Sequence, residues 1–96
     1  MKIYISGPMT GYPDLNRAAF NAKAAELRAQ GHEVVNPAEM PEIPGGTWAD
    51  YMRADLKVML DCEAIYLLPG WRKSRGARVE HFVARVLFFI ILGEAR

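Results

Sequence analysis

The amino-acid sequence predicts a three-layer α/β/α sandwich in which helices cover both faces of a parallel sheet of about four strands. Two observations support this fold class. Short apolar segments alternate along the 96 residues with longer segments whose apolar side chains recur at helical spacing. Glycine or proline stands at the ends of several segments, where strands and helices stop. Alternating strands and helices give parallel strands joined by right-handed crossovers.

The predicted elements follow the order βαβαβαβ, which is typical of Rossmann-like and flavodoxin-like sheets. Strands are predicted at residues 2–6, 32–35, 63–68 and 87–92, and helices at residues 15–30, 47–61 and 75–86. The continuous apolar run at 64–68 is typical of a parallel strand that is buried on both faces. The run LFFIIL at 87–92 also fits the buried end of the last helix, because periodicity does not distinguish the two in so short a run. We favour the strand.

Capping residues predict where the helices begin and end. Asp14 is expected to cap the first helix, and Gly31 is expected to end it. Thr47 and Asp50 form the T-x-x-D pattern of a capping box at the start of the second helix. Ser74 is the expected cap of the third helix.

Length, charge and cysteine content restrict the classes of protein that the chain can represent. We expect residues 1–96 to form a single domain. A net charge of +1 and a pI near 7.9 give no domain-wide positive field, so a nucleic acid polymer is not an expected partner. The lone cysteine, Cys62, cannot form an internal disulfide, and neither a signal peptide nor a membrane-spanning segment is evident. These features predict a cytoplasmic protein that does not enter a membrane.

The candidate functional site is predicted at the carboxyl ends of the strands, where open parallel sheets bind ligands. These ends are residues 7–11, the loop 36–46, whose three prolines suggest an irregular lid, and residues 69–74. Asp55 and Glu80 lie at helical spacing from apolar or small residues, which places both carboxyl groups on inward helix faces. Such a pair can carry out glycosyl transfer, with one group as the nucleophile and the other as the acid.

The same residues allow a purely structural interpretation. In that case the two acids form only surface ion pairs, Asp55 with Arg53 or Lys57, and Glu80 with Arg78, Arg85 or His81. His32 and His81 have no partners at metal-ligand spacing, so a metal site is not expected.

Three segments carry a resemblance to a known family: IYISGP at 3–8, RADLKVML at 53–60 and AIYLLPGWRKSRGARVEHFVA at 64–84. Together they resemble the nucleoside 2-deoxyribosyltransferase family, including its small nucleotide N-glycosidase relatives and a related small phage and bacterial domain of unknown function. The similarity follows nearly the whole chain in the same order. Its most specific part is the S-x-G-A-x-x-E run that ends at Glu80.

The resemblance implies catalytic roles for three residues. Glu80 matches the nucleophile that attacks C1′ of the deoxyribose and forms a covalent glycosyl intermediate. Asp55 matches the acid that contacts and helps to protonate the departing base, and Tyr4 matches the tyrosine that orients the nucleophile. Gly7 and Pro8 match a ligand-binding turn at which the backbone approaches the ligand.

Position 74 implies a phosphorylated ligand. Transferases that act on unphosphorylated nucleosides typically have an aspartate there, whereas the nucleotide N-glycosidases resemble this chain in having a serine beside a 5′-phosphate. Ser74 is expected at a helix N-terminus, where the N–H groups of Arg75 and Gly76 favour an anion. The phosphate is expected to be surrounded by the basic cluster of Arg72, Lys73, Arg75 and Arg78. Trp71, like Trp48, can either stack on a base or anchor the core.

The resemblance implies cleavage or transfer at the N-glycosidic bond of a 2′-deoxynucleoside or its 5′-monophosphate, without a metal or another cofactor. It also implies a homodimer or larger homo-oligomer, for which the apolar residues 86–92 are a suitable interface. Two alternatives remain: a module that binds or sequesters nucleotides without catalysis, and a structural protein whose acids form only ion pairs.

Overall fold

The computed structural model describes residues 1–94, and residues 95 and 96 of the predicted domain lie outside the described residues. Within residues 1–94 the chain forms a four-stranded sheet with three α-helices and three short 3-10 turns. The strands are β1 (Lys2–Ser6), β2 (Glu33–Val35), β3 (Ala64–Leu67) and β4 (Ile90–Gly93), and the helices are α1 (Arg17–Ala29), α2 (Trp48–Met59) and α3 (Arg75–Val86). No helix in this part of the chain is both long enough and apolar enough to cross a membrane.

The sheet has the strand order β2-β1-β3-β4, and each neighbouring pair of these strands is parallel. Helix α1 packs on one face of the sheet, where Phe20, Ala24 and Leu27 share a buried cluster with Ile3 and Ile5 of β1. Helices α2 and α3 pack on the opposite face, in a cluster that includes Tyr4, Met59, Ile65, Leu67, Ala77 and Ala84. The predicted three-layer α/β/α fold of the Rossmann or flavodoxin type is therefore confirmed.

Helix α1 begins two residues later than predicted, and Asp14 is not its N-cap. Asp14, Leu15 and Asn16 have φ values of 49°, 54° and 61°, so they form a separate turn with left-handed backbone conformations. The Asp14 carboxylate accepts a hydrogen bond from Nη1 of Arg17 at 2.7 Å. The Asn16 side chain donates to the Pro8 carbonyl at 2.9 Å, which ties the turn to the segment after β1. This contact between segments overrides the local capping pattern.

The predicted caps of α2 and α3 agree with the structure, and α2 ends two residues earlier than predicted. Thr47 and Asp50 form the predicted capping box, with hydrogen bonds of 3.2 Å from Asp50 N to Thr47 Oγ1 and 2.9 Å from Thr47 N to Asp50 Oδ2. Ser74 caps α3, because its Oγ accepts a hydrogen bond from Ala77 N at 3.2 Å. Gly31 follows α1 with a φ of 91°, which glycine adopts without a steric penalty.

The fourth strand is present, so the strand interpretation of the LFFIIL run is confirmed, but β4 begins only at Ile90. Residues 87–89 contain a turn in which Phe88 has a φ of 60° and is 93% exposed. Its apolar neighbours are also exposed, and we call the set of Val86, Leu87, Phe88 and Ile90 the apolar strip. The strip lies where α3 passes into the edge strand of the sheet.

Candidate active site

A cavity of about 370 Å³ lies beside the carboxyl end of β1. Its size is within the range of roughly 300–1,000 Å³ that is usual for small-molecule sites. Its lining comes from the end of β1 and the residues that follow it, from the loop segment 37–43, from residues 15–20, from α2 and from residues 74–80. The first two of these regions are strand ends at which the sequence predicts the site. Segment 69–73, also predicted, does not line the cavity within residues 1–94.

Glu80 lines this cavity although only 5% of the residue is exposed. Its Oε2 accepts a hydrogen bond from the Tyr4 hydroxyl at 2.6 Å, and its Oε1 accepts one from the Ser6 hydroxyl at 2.7 Å. Tyr4 and Ser6 are two residues apart on β1, so their side chains leave the same face of the sheet. Ala77 and Ala84, about one turn to either side of Glu80, are buried small residues that let α3 lie close to the strand.

Two residues of the site are absent from the sequence-based prediction. Ser6 is the polar last residue of an apolar strand, and only its period-two spacing from Tyr4 could have placed it beside the carboxylate. Arg17 lines the cavity, but the prediction places it within a continuous first helix. The separate turn at 13–16, which precedes Arg17 in the structure, has no recognisable local signal.

Burial dominates the electrostatics of Glu80. It raises the pKa of Glu80 to about 7, because the ionised carboxylate loses its contact with water. Hydrogen bonds from Tyr4 and Ser6 stabilise the ionised form and limit this rise, while the nearby charge of Asp55 adds to it. Burial also raises the pKa of Tyr4 well above its ordinary value, and the charges of Glu80 and Asp55 add to this effect. The Tyr4 hydroxyl therefore keeps its proton and remains a hydrogen-bond donor at neutral pH.

Asp55, on α2, is half-buried and lines the same cavity as Glu80. Burial raises the pKa of Asp55 to about 6. Within residues 1–94 neither acid takes part in an ion pair, and Arg53 lies 3.6 Å from Asp50 instead. The interpretation in which the two acids form only surface ion pairs is therefore wrong for the described residues. Two carboxyl groups with pKa values near neutrality can hold and transfer a proton at physiological pH.

Gly7, Ser74 and Gly76 are predicted ligand-binding residues that line the cavity. The structure gives Gly7 an additional reason to be glycine, because a Cβ atom there would lie 2.8 Å from Cβ of Leu68. Ser74 and Gly76 belong to the start of α3, which brings the N-terminal end of this helix into the cavity wall.

Pro8, Trp71 and Arg75, also predicted to bind the ligand, do not line the cavity in the described part of the chain. Pro8 is buried, and its carbonyl accepts the hydrogen bond from Asn16. Trp71 is 5% exposed and belongs to the core, and its indole N–H donates to the Glu94 carbonyl. This tryptophan therefore anchors the core and is not placed to stack on a ligand in the cavity.

Arg75 reaches the site only through a neighbour. Its guanidinium carbon lies 3.8 Å from the centre of the Trp48 ring, and Trp48 lines the cavity. A guanidinium at this distance makes a cation–π contact that restricts the orientation of the indole.

The basic cluster is expected to surround a ligand phosphate, but none of its four members lines the cavity in the described part of the chain. Arg72, Lys73 and Arg78 do not line the cavity. Arg17 is the only lysine or arginine among the lining residues of segment 1–94. Arg72 and Lys73 belong to the 3-10 turn before α3. Arg78 is two residues from Glu80, and this spacing on a helix turns its side chain to a different face. Charge clustered in the sequence is thus divided between different surfaces of the fold.

Residues 1–92 match the family model described as Domain of unknown function (DUF4406). A solved structure of the 2-deoxyribosyltransferase from the psychrotolerant bacterium Bacillus psychrosaccharolyticus is similar to this chain, with a TM-score of 0.72 and 20% sequence identity. The similarity covers 95% of this chain and 69% of that one. No curated protein matches the chain. The chain therefore has the fold of a 2-deoxyribosyltransferase, and the match over residues 1–92 shows that it belongs to the DUF4406 family.

Proposed function

We propose that this protein cleaves or transfers the N-glycosidic bond of a 2′-deoxynucleoside or its 5′-monophosphate, and that it does so in the cytoplasm. One observation carries the proposal. The Glu80 carboxylate is buried, is held by the Tyr4 and Ser6 hydroxyls, and lines the same cavity as Asp55. The fold shared with a 2-deoxyribosyltransferase supports this assignment.

In the first step, the Glu80 carboxylate attacks C1′ of the deoxyribose and forms an ester bond. The bond between C1′ and the base nitrogen breaks, and its electron pair leaves with the base. Protonated Asp55 donates its proton to the base, so the base leaves as a neutral molecule. Tyr4 and Ser6 hold the two carboxylate oxygens and fix the direction of attack.

In the second step, water or the nitrogen of another base attacks C1′ and displaces the Glu80 carboxylate. The Asp55 carboxylate accepts the proton of the attacking group and returns to its protonated state. Water gives hydrolysis, and a second base gives transfer. Both steps balance with the two carboxyl groups, the substrate and the acceptor alone.

The pH dependence of this reaction follows from the two carboxyl groups. The pair is productive when Asp55 is protonated and Glu80 is ionised. Burial raises the two pKa values to about 6 and about 7, so the productive form is one of the two ways in which the pair can hold a single proton. We therefore expect a bell-shaped profile of kcat/KM whose maximum lies between about pH 6 and about pH 7. Acid protonates the nucleophile, and alkali removes the proton that the base requires.

The variant Asp55→Asn tests the assignment of the alkaline limb. It is expected to lower kcat/KM by about a hundredfold or more, because asparagine donates no proton to the leaving base. Its profile should rise with the ionisation of Glu80 and then stay level at alkaline pH. An alkaline limb that persists in Asp55→Asn would contradict the role of Asp55.

Ser74, Gly76 and Arg17 favour a phosphorylated substrate. The backbone N–H groups in the first turn of a helix have no helical acceptor, and the helix dipole attracts an anion to them. Ser74 and Gly76 place this helix end in the cavity wall, and the half-buried Arg17 adds a positive charge to the lining. We expect these groups to hold a 5′-phosphate while C1′ reaches Glu80.

Incubation with a panel of 2′-deoxynucleosides and their 5′-monophosphates, with and without a second free base, tests the proposed reaction. Chromatography is expected to show released base, with faster release from the monophosphates.

Arg17→Gln should raise KM for the monophosphate about tenfold and leave the nucleoside reaction unchanged, because it removes a charge-assisted contact to phosphate. Arg53→Gln, at an exposed position on α2, is the matched control. If no substrate releases base but monophosphates still raise the Tm, the protein is a non-catalytic nucleotide-binding module.

We also propose that the apolar strip joins two copies of the chain. Its four residues are each about half exposed or more, which is unusual for apolar side chains that lie together. Light scattering is expected to give twice the 10.8 kDa mass of the chain. Phe88→Ser should shift the protein to the monomer, whereas Leu60→Ser, at an exposed leucine outside the strip, should not. A monomeric parent protein would contradict this assembly.

A further inference from the structure

A second concave surface lies between α3 and the 3-10 turn that precedes it. It is a shallow, open groove that has no lining residue in common with the active-site cavity. We call it the arginine groove, and its lining residues are Trp71, Arg72, Arg78, His81, Phe82 and Arg85. On α3, His81 lies three residues and Phe82 four residues after Arg78, and Arg85 follows them by four and three residues, so all four side chains share one side of the helix.

Within residues 1–94, no acid forms an ion pair with the three arginines of the arginine groove. Arg72, Arg78 and Arg85 take no part in the ion pairs found within residues 1–94, whereas Arg17, Arg28 and other cations of the chain do. The chain as a whole carries a net charge of only +1. Three guanidinium groups around one groove repel one another, and an anion between them would convert this repulsion into attraction.

Part of this charge is held in a defined position. The guanidinium carbon of Arg72 lies 4.7 Å from the centre of the Trp71 ring. Trp71 is itself fixed in the core, so it presents a rigid surface to this arginine. A cation held in place before binding loses less conformational entropy when its ligand arrives.

His81 adds a hydrogen-bonding group without a partner. Its Nε2 atom is buried and has no hydrogen bond within the described residues. The ring is held against Trp71, with 4.4 Å between the ring centres. Burial lowers the pKa of His81, and the positive charges of Arg85 and Arg72 lower it further. A buried polar atom without a partner is unfavourable.

We propose that the arginine groove binds a diphosphate group, with Arg72, Arg78 and Arg85 paired to its oxygens beside the ring of His81. Guanidinium groups match the oxygens of a phosphoryl group with two parallel hydrogen bonds, and three of them can neutralise a multiply charged anion. Phe82 is 67% exposed and forms part of the groove wall. The diphosphate can therefore be free or belong to a nucleoside diphosphate, whose base would pack on this ring.

Titration with inorganic pyrophosphate at constant ionic strength tests the proposal, with the ring protons of the histidines observed by NMR. The chain contains two histidines, so His32 is an internal reference for His81. We expect saturable shifts of the His81 signals and a rise of about one unit in the pKa of His81, because the anion stabilises the imidazolium. The His32 signals should not change.

Variants separate the arginine groove from non-specific attraction. Arg78→Gln and Arg85→Gln should each weaken pyrophosphate binding about tenfold or more, whereas Arg53→Gln and Arg17→Gln should leave it unchanged. The result for Arg17→Gln keeps this test independent of the active site. Equal weakening by Arg53→Gln, or a pyrophosphate titration that leaves His81 unchanged, would overturn the proposal. Tighter binding of ADP than of pyrophosphate would support a nucleotide as the ligand, and equal binding would support free diphosphate.

Discussion

Replacement of Glu80 by glutamine is expected to abolish release of the base and to lower kcat by roughly a thousandfold or more. A neutral amide oxygen does not form the ester with C1′, so the covalent route is closed. Glutamine has nearly the same shape and can still accept hydrogen bonds from Tyr4 and Ser6. Affinity for the substrate should therefore be retained. The measurement is the rate of base release at saturating substrate, together with the increase in Tm that the substrate causes.

Glu33→Gln is the matched control for this experiment. The side chain of Glu33 is 77% exposed and lies on β2, away from the cavity lining. The Glu33→Gln variant should release base at the full rate of the parent protein. The intact mass of the parent protein, measured after rapid quenching, should show a fraction that carries the sugar moiety, and Glu80→Gln should not form this adduct. If Glu80→Gln retained a tenth of the parent rate, the role of Glu80 as the nucleophile would be wrong.

The same variant is expected to become more stable than the parent protein as the pH rises. Burial raises the pKa of Glu80 from its ordinary value of 4.5 to about 7. As the pH rises through this interval, the unfolded chain releases the Glu80 proton before the folded protein does, so the parent protein loses stability. Above pH 7 the loss from this one group amounts to roughly 3 kcal/mol. Glutamine has no proton to lose and avoids this penalty.

Thermal unfolding between pH 4.5 and pH 8 provides the measurement. The difference in Tm between Glu80→Gln and the parent should increase with pH by roughly 10 °C or more over this range for a domain of this size. At pH 4.5 Glu80 is neutral in the folded protein and half ionised in the unfolded chain, so the pH-dependent part of the difference is small there. Glu33→Gln should follow the parent curve. Parallel curves for Glu80→Gln and the parent would show that the folded protein does not hold Glu80 with a raised pKa.

The sequence predicts the fold well because the signals that define its elements are local. The capping box at Thr47 and Asp50 and the cap at Ser74 act within one helical turn, and the structure contains both. Asp14 shows the limit of such reasoning. Its local pattern predicts a cap, but a hydrogen bond from Asn16 to the carbonyl of Pro8 draws the chain into a different turn. A contact between separate segments cannot be inferred from capping preferences.

The candidate site was predictable to a lesser degree. Glu80 and Tyr4 meet as the resemblance implies, and Asp55 lines the same cavity. The basic cluster does not line the cavity, because the chain direction between β3 and α3 decides where Arg72 and Arg78 project. The 3-10 turn at 71–73 sets that direction, and its geometry depends on the burial of Trp71, which is a property of the whole fold.

The position of β1 has a consequence for how the protein loses activity on heating. Both hydroxyl groups that hold Glu80 belong to this strand, which pairs with β2 on one side and with β3 on the other. Backbone amides in such a central strand exchange with deuterium mainly through global opening of the domain, whereas edge elements also open in local fluctuations. The two hydroxyl groups should therefore keep their positions in every partial opening that spares β1, and their contact with Glu80 should persist as long as α3 also stays folded. Heat inactivation that precedes cooperative unfolding should then begin in the helices that carry Glu80 and Asp55 and not in β1.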